Sequence, residues 1–90
     1  MPAYIVTYDT HLEQGRPRLC EAMEEIGGVR LAGNVWGVSS VQSVSELRDW
    51  VKALMDDDDT VVVVRLQRRL AWATRNAAKE ATDWLQRRAQ

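Results

Sequence analysis

Cysteine is nearly missing from this sequence: Cys20 is the single cysteine among 90 residues. One cysteine cannot form a disulfide within the chain, and the sequence therefore predicts a protein of the reducing cytoplasm. One cysteine and one histidine, His11, also cannot supply the four ligands of a structural zinc site. These shortages exclude the small domains that depend on disulfides or on zinc for their stability.

Long apolar runs are missing as well. No segment approaches the roughly 18 consecutive apolar residues that a membrane-spanning helix needs, so we expect no membrane-embedded segment. The N-terminal residues, MPAYIVTYDTH, lack the basic region and the small-residue cleavage site of a secretory signal peptide. Both absences agree with the expected cytoplasmic location.

Glycine and proline are scarce, with 5 and 2 residues, whereas 46% of the chain is hydrophobic and 28% is charged. Such a composition is typical of a folded domain rather than of a disordered segment. The length allows a single domain, residues 1–90. A domain of this size buries only about 60–65% of the surface that its unfolded chain exposes, so association with a second copy would stabilise it.

The net charge is only −1, but the two signs are unevenly distributed along the chain. Up to Thr60, 5 basic residues face 11 acidic ones, and from Val61 onward 7 basic residues face 2 acidic ones. A basic end of this kind occurs in segments that face nucleic acid. It also occurs where two faces of a protein attract each other or on a solvated helix, and the sequence leaves these alternatives open.

The first third of the chain predicts a strand followed by a helix. Residues Ala3–Asp9 are β-branched and aromatic and are apolar on both alternating faces, which is typical of a buried central strand. Pro17 suits the first turn of a helix, and apolar residues then recur at helical spacing as far as Ile26. Gly27 and Gly28 are expected to end this helix.

The middle of the chain predicts a hairpin, a second helix and another strand. Residues 29–31 and 35–38 are short apolar segments on either side of a Gly-Asn turn, which favours a β-hairpin. Ser43, with Glu46 three residues later, resembles the capping box that begins a helix. After the aspartates that end this helix, residues 61–64 form a second buried strand.

The predicted order of strand, helix, strand, strand, helix and strand is that of a ferredoxin-like βαββαβ plait, an α+β fold with an antiparallel sheet. Its core covers about residues 3–67. The extension, about residues 72–88, carries apolar residues at helical spacing and predicts a C-terminal helix from about Thr74. We expect Trp72 and Trp84 to pack this extension onto the body.

Two of the predicted strands are apolar on both faces, and this pattern bears on the oligomeric state. A half-exposed antiparallel strand alternates apolar and polar residues, which neither the first strand nor the valine strand does. The second face of the sheet therefore needs a cover, either the C-terminal helix or a second chain. A homodimer is predicted, with an interface formed by Tyr4, Val6, Tyr8, Val62 and Val64.

The carboxylate of Asp9 ends the first, central strand, so its backbone is fixed while its approach is open. In a two-fold dimer Asp9 would meet its counterpart, and a pair of carboxylates suits a hard cation. The alternative is that Asp9 caps the loop that follows. His11 titrates near neutral pH and is a candidate acid or base, whereas a lone loop histidine is usually just solvated.

Three arginines, Arg16, Arg18 and Arg30, are candidates for phosphate binding, because guanidinium groups bind phosphate in a bidentate manner. Isolated arginines on a small domain also serve solubility and surface ion pairs. The chain has no glycine-rich phosphate loop, no Ser/His/Asp set and no aromatic RNA-binding signature. The residues by themselves therefore predict a dimeric domain without an identifiable reaction.

Four segments carry a resemblance to a known family: YIVTYD at residues 4–9, RLCEAMEEIG at 18–27, VRLAGNVWGVSS at 29–40 and SELRDWVKALMDDDDTVVVVRL at 45–66. Together they resemble the small CRISPR-associated "Cas two" proteins and their stand-alone, SinR-like relatives. The order of the predicted elements is similar too. The tail, with WATRN at residues 72–76 and a final DWLQRR, looks more like the stand-alone relatives.

The resemblance implies a ferredoxin-like plait that forms a homodimer, with the two sheets facing each other. It implies that Asp9 matches the strand-end aspartate that binds Mg²⁺ for phosphodiester cleavage, and hence a metal-dependent endonuclease acting on RNA or DNA. CRISPR members also act as a scaffold that holds duplex DNA, and VapD-type ribonucleases are further relatives. The competing hypothesis is a non-catalytic dimeric interaction module that keeps only the fold.

Overall fold

The computed structural model of this chain describes residues 2–10, 15–67 and 71–88, with the backbone alone described at Gly15 and Arg16. In chain order the elements are β1 (Ala3–Asp9), α1 (Gly15–Glu25), β2 (Val29–Ala32), β3 (Val35–Ser39), α2 (Val44–Lys52), β4 (Thr60–Arg65) and α3 (Lys79–Arg88).

The four strands of the described chain form one sheet in the order β2-β3-β1-β4, and every neighbouring pair is antiparallel. The first strand, β1, therefore lies inside the sheet, while β2 and β4 form its two edges. The predicted α+β class, with an antiparallel sheet and an additional C-terminal helix, is confirmed.

The main core lies between one face of the sheet and helices α1 and α2. Side chains of a strand alternate between faces, and in β1 it is Tyr4, Val6 and Tyr8 that are buried. The two helices contribute four fully buried residues to the same cluster, namely Leu19, Met23, Leu47 and Val51. The prediction that Tyr4, Val6 and Tyr8 form a dimer interface is therefore wrong, because the apolar faces of α1 and α2 already cover them.

The register of β1 against β4 assigns the two remaining interface candidates to the other face of the sheet. Val62 lies opposite Thr7 and Val64 opposite Ile5, and directly opposed residues of an antiparallel pair project on the same side. Val62 and Val64 are 47% and 49% exposed. The predicted interface thus combined residues of two opposite faces, and only Val62 and Val64 remain candidates for a contact with a second copy.

Helix α3 covers part of that second face, where it packs on β2 and β3. A Cβ atom added at Gly37 would lie 2.7 Å from ring atoms of Trp84, so the indole rests directly on the backbone of β3. Trp84 is 2% exposed, as expected for a residue that attaches the extension, whereas Trp72 remains 39% exposed. The C-terminal helix accordingly covers half of the second face and leaves the other half open.

The start of α3 differs from the predicted one. Asn76 has a φ of +60°, a left-handed conformation that cannot continue into a right-handed helix. The first helical hydrogen bonds instead run to the carbonyl oxygen of Ala78, which accepts from the N–H groups of Ala81 and Thr82. The helix therefore begins at Lys79 and not near Thr74.

The predicted capping box at the start of α2 is confirmed. The Ser43 hydroxyl accepts a hydrogen bond from the N–H of Glu46, and the Glu46 carboxylate accepts one from the N–H of Ser43. Among the helices in the described part of the chain, none combines the length and the apolar character needed to cross a membrane.

Candidate functional site

The half of the second face that α3 leaves uncovered is formed by β1 and β4, and we call it the open face. It is defined by Ile5, Thr7, Asp9, Val62 and Val64, which share one side of the sheet by alternation and by register. Its centre is apolar, because the two valines lie beside Ile5 and Thr7. A carboxylate, that of Asp9, stands at its rim.

Asp9 is the last residue of β1 and lies opposite Thr60, the first residue of β4. Its side chain is exposed, while its backbone is part of the ladder between the two strands. Tyr8, its neighbour, is buried on the α1 side, so Asp9 lies on the side of the open face. The structure therefore combines the candidate site residue Asp9 and the candidate interface residues Val62 and Val64 on one surface.

The fit of a Mg²⁺ ion to this rim depends on the donors that surround it. Mg²⁺ is commonly bound by one or two carboxylates together with water and phosphate oxygens, and the exposed carboxylate of Asp9 is a donor of this type. Within residues 2–10, 15–67 and 71–88, no three histidine, cysteine, aspartate or glutamate side chains are grouped so that they could hold a metal ion. In a two-fold dimer joined through the open face, a second carboxylate for an ion at Asp9 would come from the other copy of the chain.

One candidate phosphate-binding arginine, Arg30, lies on the face of the sheet opposite to that of Asp9. Arg30 lies opposite Trp36 in the edge strand β2, on the face that carries α1 and α2. Its guanidinium group stacks on the Trp36 ring, 5.1 Å from the ring centre, and contacts the sulfur of Cys20. Arg18 is exposed on α1, and the side chain of Arg16, like His11, lies outside the described residues. The structure does not bring Arg30 together with Asp9.

A polar cluster within the core was missed by the sequence reasoning. The indole N–H of Trp36 donates a hydrogen bond of 3.1 Å to the hydroxyl of Tyr8, which also lies 3.9 Å from the sulfur of Cys20. Burial raises the pKa of Tyr8 above its ordinary value, and Cys20 acts in the same direction, whereas the hydrogen bond from Trp36 acts against it. No signal in the sequence identifies this cluster, because it depends on the pairing of β1 with β3.

A cleft of about 550 Å³ runs along the outer edge of β2. It extends from the end of α1 to the start of α3, and its lining consists of Glu24, residues 28–33, Trp36, residues 76–78 and Glu80. Every residue of β2 contributes to the lining. The cleft is thus an elongated feature of the strand edge, separate from the open face.

The four consecutive aspartates lie in the turn between α2 and β4. The N–H of Asp56 donates to a carboxylate oxygen of Asp59, and the N–H of Asp59 donates to the carbonyl oxygen of Asp56. These two hydrogen bonds close the turn.

Comparisons with known proteins bear on the fold. No family model matches the chain, and no curated protein matches it either. Among solved structures, it is similar to the hypothetical protein TT1823 from Thermus thermophilus, with a TM-score of 0.68 and 18% sequence identity. The similarity covers 86% of this chain and 94% of that chain. At this identity the similarity shows a shared fold alone.

Proposed function

We propose that this protein is a Cas two-like, ferredoxin-like homodimer that acts on nucleic acid through the paired Asp9 residues of its two copies. The order of elements and the central position of β1 and β3 support the βαββαβ plait. The resemblance of residues 4–66 to the family supports the functional part of the proposal.

One observation carries the dimer and the site together: Asp9 lies on the same open face as Val62 and Val64. Association through an apolar patch removes it from water, which is the dominant favourable contribution to most protein association. In a two-fold dimer, residues near the axis approach their own counterparts. Two copies joined through the open face would therefore bring both Asp9 carboxylates to the same rim.

In this proposal the role of Asp9 is to hold Mg²⁺, and the ladder between β1 and β4 fixes its backbone for that task. When bound, the ion would neutralise the charge that develops on a phosphodiester during cleavage. Arg18 and Arg30 lie on the helix side of the sheet, so their proposed contacts with phosphate groups would extend the bound RNA or DNA around the edge of the sheet.

The proposal is tested by substitution of Asp9→Asn, which keeps the shape of the side chain and removes its charge. We expect the wild-type protein to cleave single-stranded RNA or duplex DNA with Mg²⁺ and not with a chelator, and Asp9→Asn to abolish cleavage while the dimer persists. Asp49→Asn is the matched control, because Asp49 is exposed on α2, where it forms a surface ion pair with Arg48. Cleavage that survives Asp9→Asn would refute the role of Asp9.

The second candidate is the non-catalytic dimeric interaction module. It is favoured by the position of Arg30 on the face of the sheet opposite to Asp9, and by the lack, among the described residues, of a group of three side chains that could hold a metal ion. This alternative predicts a stable dimer that shows no Mg²⁺-dependent cleavage, and an Asp9→Asn variant indistinguishable from the wild-type protein. The same set of assays therefore decides between the two candidates.

A further inference from the structure

Helix α3 gives the second face of the sheet the form of a step. The helix lies on β2 and β3, where Trp84 rests on Gly37, and the open face on β1 and β4 lies beside it at a lower level. A helix with its side chains is about 10–12 Å thick, and two sheets that pack face to face lie about 10 Å apart. A sheet placed on the open face would therefore lie level with α3, and its edge would meet one side of the helix.

Helical spacing identifies the side of α3 that borders the open face. Glu80 lines the cleft along the outer edge of β2. Because successive residues of a helix are rotated by about 100°, Thr82 and Gln86 are turned about 160° and about 120° away from Glu80. Thr82 and Gln86 are therefore directed to the open face, and Leu85, which is buried, lies between them and the sheet. We call the surface formed by Thr82, Leu85 and Gln86 the inner side of α3.

The inner side of α3 is formed by uncharged residues. Arg87 follows Glu80 by seven residues, or about two helical turns, and so lies on the outer side of the helix. Lys79, at the start of the helix, forms an ion pair with Asp83. A partner that contacts the inner side would thus meet a hydroxyl, an apolar side chain and a carboxamide.

The outer edge of β4 offers backbone groups that such a surface can bond. The N–H of Leu66 donates to the carbonyl oxygen of Ala3. Because the residues of an antiparallel pair alternate between bonded and non-bonded positions, Val64 bonds to β1 as well, and Val63 and Arg65 direct their N–H and C=O groups to the free edge. A glutamine side chain carries both donors and an acceptor, and it therefore complements these groups.

A two-fold axis parallel to the strands fits two such stepped faces together. With this axis the order of the strands is reversed between the copies, so β4 of the partner subunit lies over β1 and beside α3. An axis across the strands would instead place α3 on the β2 and β3 half of the partner subunit, which is already covered by a helix. The step thus permits one orientation, in which both Asp9 residues lie at the same end of the dimer.

The register identifies the part of β4 that α3 would meet. Trp84 rests on Gly37, which lies opposite Ile5, and Ile5 lies opposite Val64. A rotation about an axis parallel to the strands leaves this level unchanged. The middle of α3 would therefore lie beside Val64 of the partner subunit, close to the outward backbone groups on either side of it.

The width of the open face favours a second copy as its occupant. The open face is two strands wide, and in this arrangement the β1 and β4 half of one copy covers the same half of the other. A single interface then removes the half-exposed Val62 and Val64 of both copies from water. A helix of a different protein would cover the open face of one copy only.

We propose that α3 is a docking element of the homodimer, whose inner side lies against the free edge of β4 of the partner subunit. Gln86 bonds to the outward backbone groups beside Val64 of the partner subunit, and Thr82 packs next to it. This inference rests on the homodimer of the proposed function. It adds the element that determines how the two copies are oriented and hence that both Asp9 residues share one rim.

The first test introduces the photoreactive residue p-benzoylphenylalanine at Gln86, and at Glu80 as the matched control. Irradiation of a mixture of isotope-labelled and unlabelled protein gives mixed cross-linked dimers only if the new bond joins two copies. We expect such dimers from the Gln86 variant, with mass spectrometry locating the cross-link in β4, and none from the Glu80 variant. Cross-linked dimers from the Glu80 variant, or a cross-link from Gln86 to a different strand, would overturn the proposal.

The second test is Gln86→Ala, which preserves the helix and removes the carboxamide. We expect the dissociation constant of the dimer, measured by sedimentation velocity, to rise about tenfold, as for the loss of one or two hydrogen bonds. Arg87→Ala is the matched control, because Arg87 is exposed on the outer side of α3, and its dissociation constant should equal that of the wild-type protein. An unchanged dissociation constant for Gln86→Ala contradicts the contact with β4.

The two tests distinguish a failure of this inference from a failure of the homodimer itself. If the wild-type protein is a monomer at micromolar concentrations, the homodimer is wrong, and the open face is left to a different protein. If the wild-type protein is a dimer that Val62→Lys dissociates, while Gln86→Ala has no effect and no cross-link reaches β4, the open face is the interface. In that case only the docking role of α3 is wrong.

Discussion

Strand β3 and helix α3 are in close contact at Gly37. An added Cβ atom there would lie 2.7 Å from the ring of Trp84, and the indole cannot retreat without lifting the helix. We predict that Gly37→Ala lowers the free energy of unfolding by about 1–3 kcal/mol, the usual effect of overpacking. Urea unfolding followed by circular dichroism measures the change.

The control for this prediction is Gly33→Ala, because a Cβ atom at Gly33 would meet nothing within 4 Å. Its urea midpoint should remain close to that of the wild-type protein. Equal midpoints for the two alanine variants would show that Trp84 does not rest on β3 in solution.

Tyr8 contributes to the stability of the protein in a way that is lost at alkaline pH. Burial raises the pKa of its hydroxyl above the ordinary value of about 10, so the folded state holds this proton more tightly than the unfolded state does. The contribution is fully present below about pH 10 and is lost as the pH rises through the pKa of the folded state.

Tyr8→Phe is expected to have two effects. At pH 7 it lowers the free energy of unfolding by about 1–3 kcal/mol, because the buried N–H of Trp36 loses its acceptor. Between about pH 9 and pH 11 the variant loses less stability than the wild-type protein, because the hydroxyl that ionises is gone. Urea midpoints measured across this range test both statements, and two parallel curves would contradict the second.

Helix α3 is held by a small number of buried side chains, namely Ala81, Trp84 and Leu85. Trp84→Ala removes the largest of them and should lower the free energy of unfolding by about 3–5 kcal/mol. Trp72→Ala is the control, since Trp72 remains 39% exposed and its truncation should change stability by less than about 1 kcal/mol. Similar effects of the two substitutions on the urea midpoint would mean that α3 is not the element that covers β3.

The sequence predicts where the strands and helices lie better than it predicts which face of each strand is buried. The strands β1 and β4 and the cap of α2 follow from local patterns, because β-branched runs and the Ser43–Glu46 pair each favour one local structure. The start of α3 does not follow from such a pattern. The left-handed conformation of Asn76 prevents the helix from beginning earlier, but it does not alter the spacing of the apolar residues in the sequence.

The face assignment of β1 could not be predicted for a physical reason. Both sets of alternating residues in β1 are apolar, so the pattern does not indicate which set α1 and α2 cover. Only the register with β4 separates Tyr8 from Val62 and assigns Asp9 to the open face. The position of Arg30 relative to Asp9 depends in the same way on the sheet order, which brings together strands from distant parts of the chain.

At the scale of the whole molecule, the open face predicts a homodimer. Light scattering should give twice the mass of the chain for the wild-type protein, and Val62→Lys should shift it to a monomer. An ammonium group buried in an apolar interface without a partner is strongly unfavourable, whereas the half-exposed Val62 tolerates lysine in the free chain. Val41→Lys is the control, because Val41 is 83% exposed in the connection between β3 and α2 and is not part of the open face. A wild-type monomer at micromolar concentrations would contradict this prediction.

The central position of β1 has a consequence for how the chain folds as it is synthesised. β1 precedes both of its partners in the chain, and one of them, β4, follows only after the helices α1 and α2 and the strands β2 and β3. Its buried side chains therefore have no complete set of neighbours until β4 has been synthesised. Pairings between distant residues form slowly and leave apolar strands exposed meanwhile. The nascent segment around Tyr4 and Val6 is thus where a chaperone would engage this protein first.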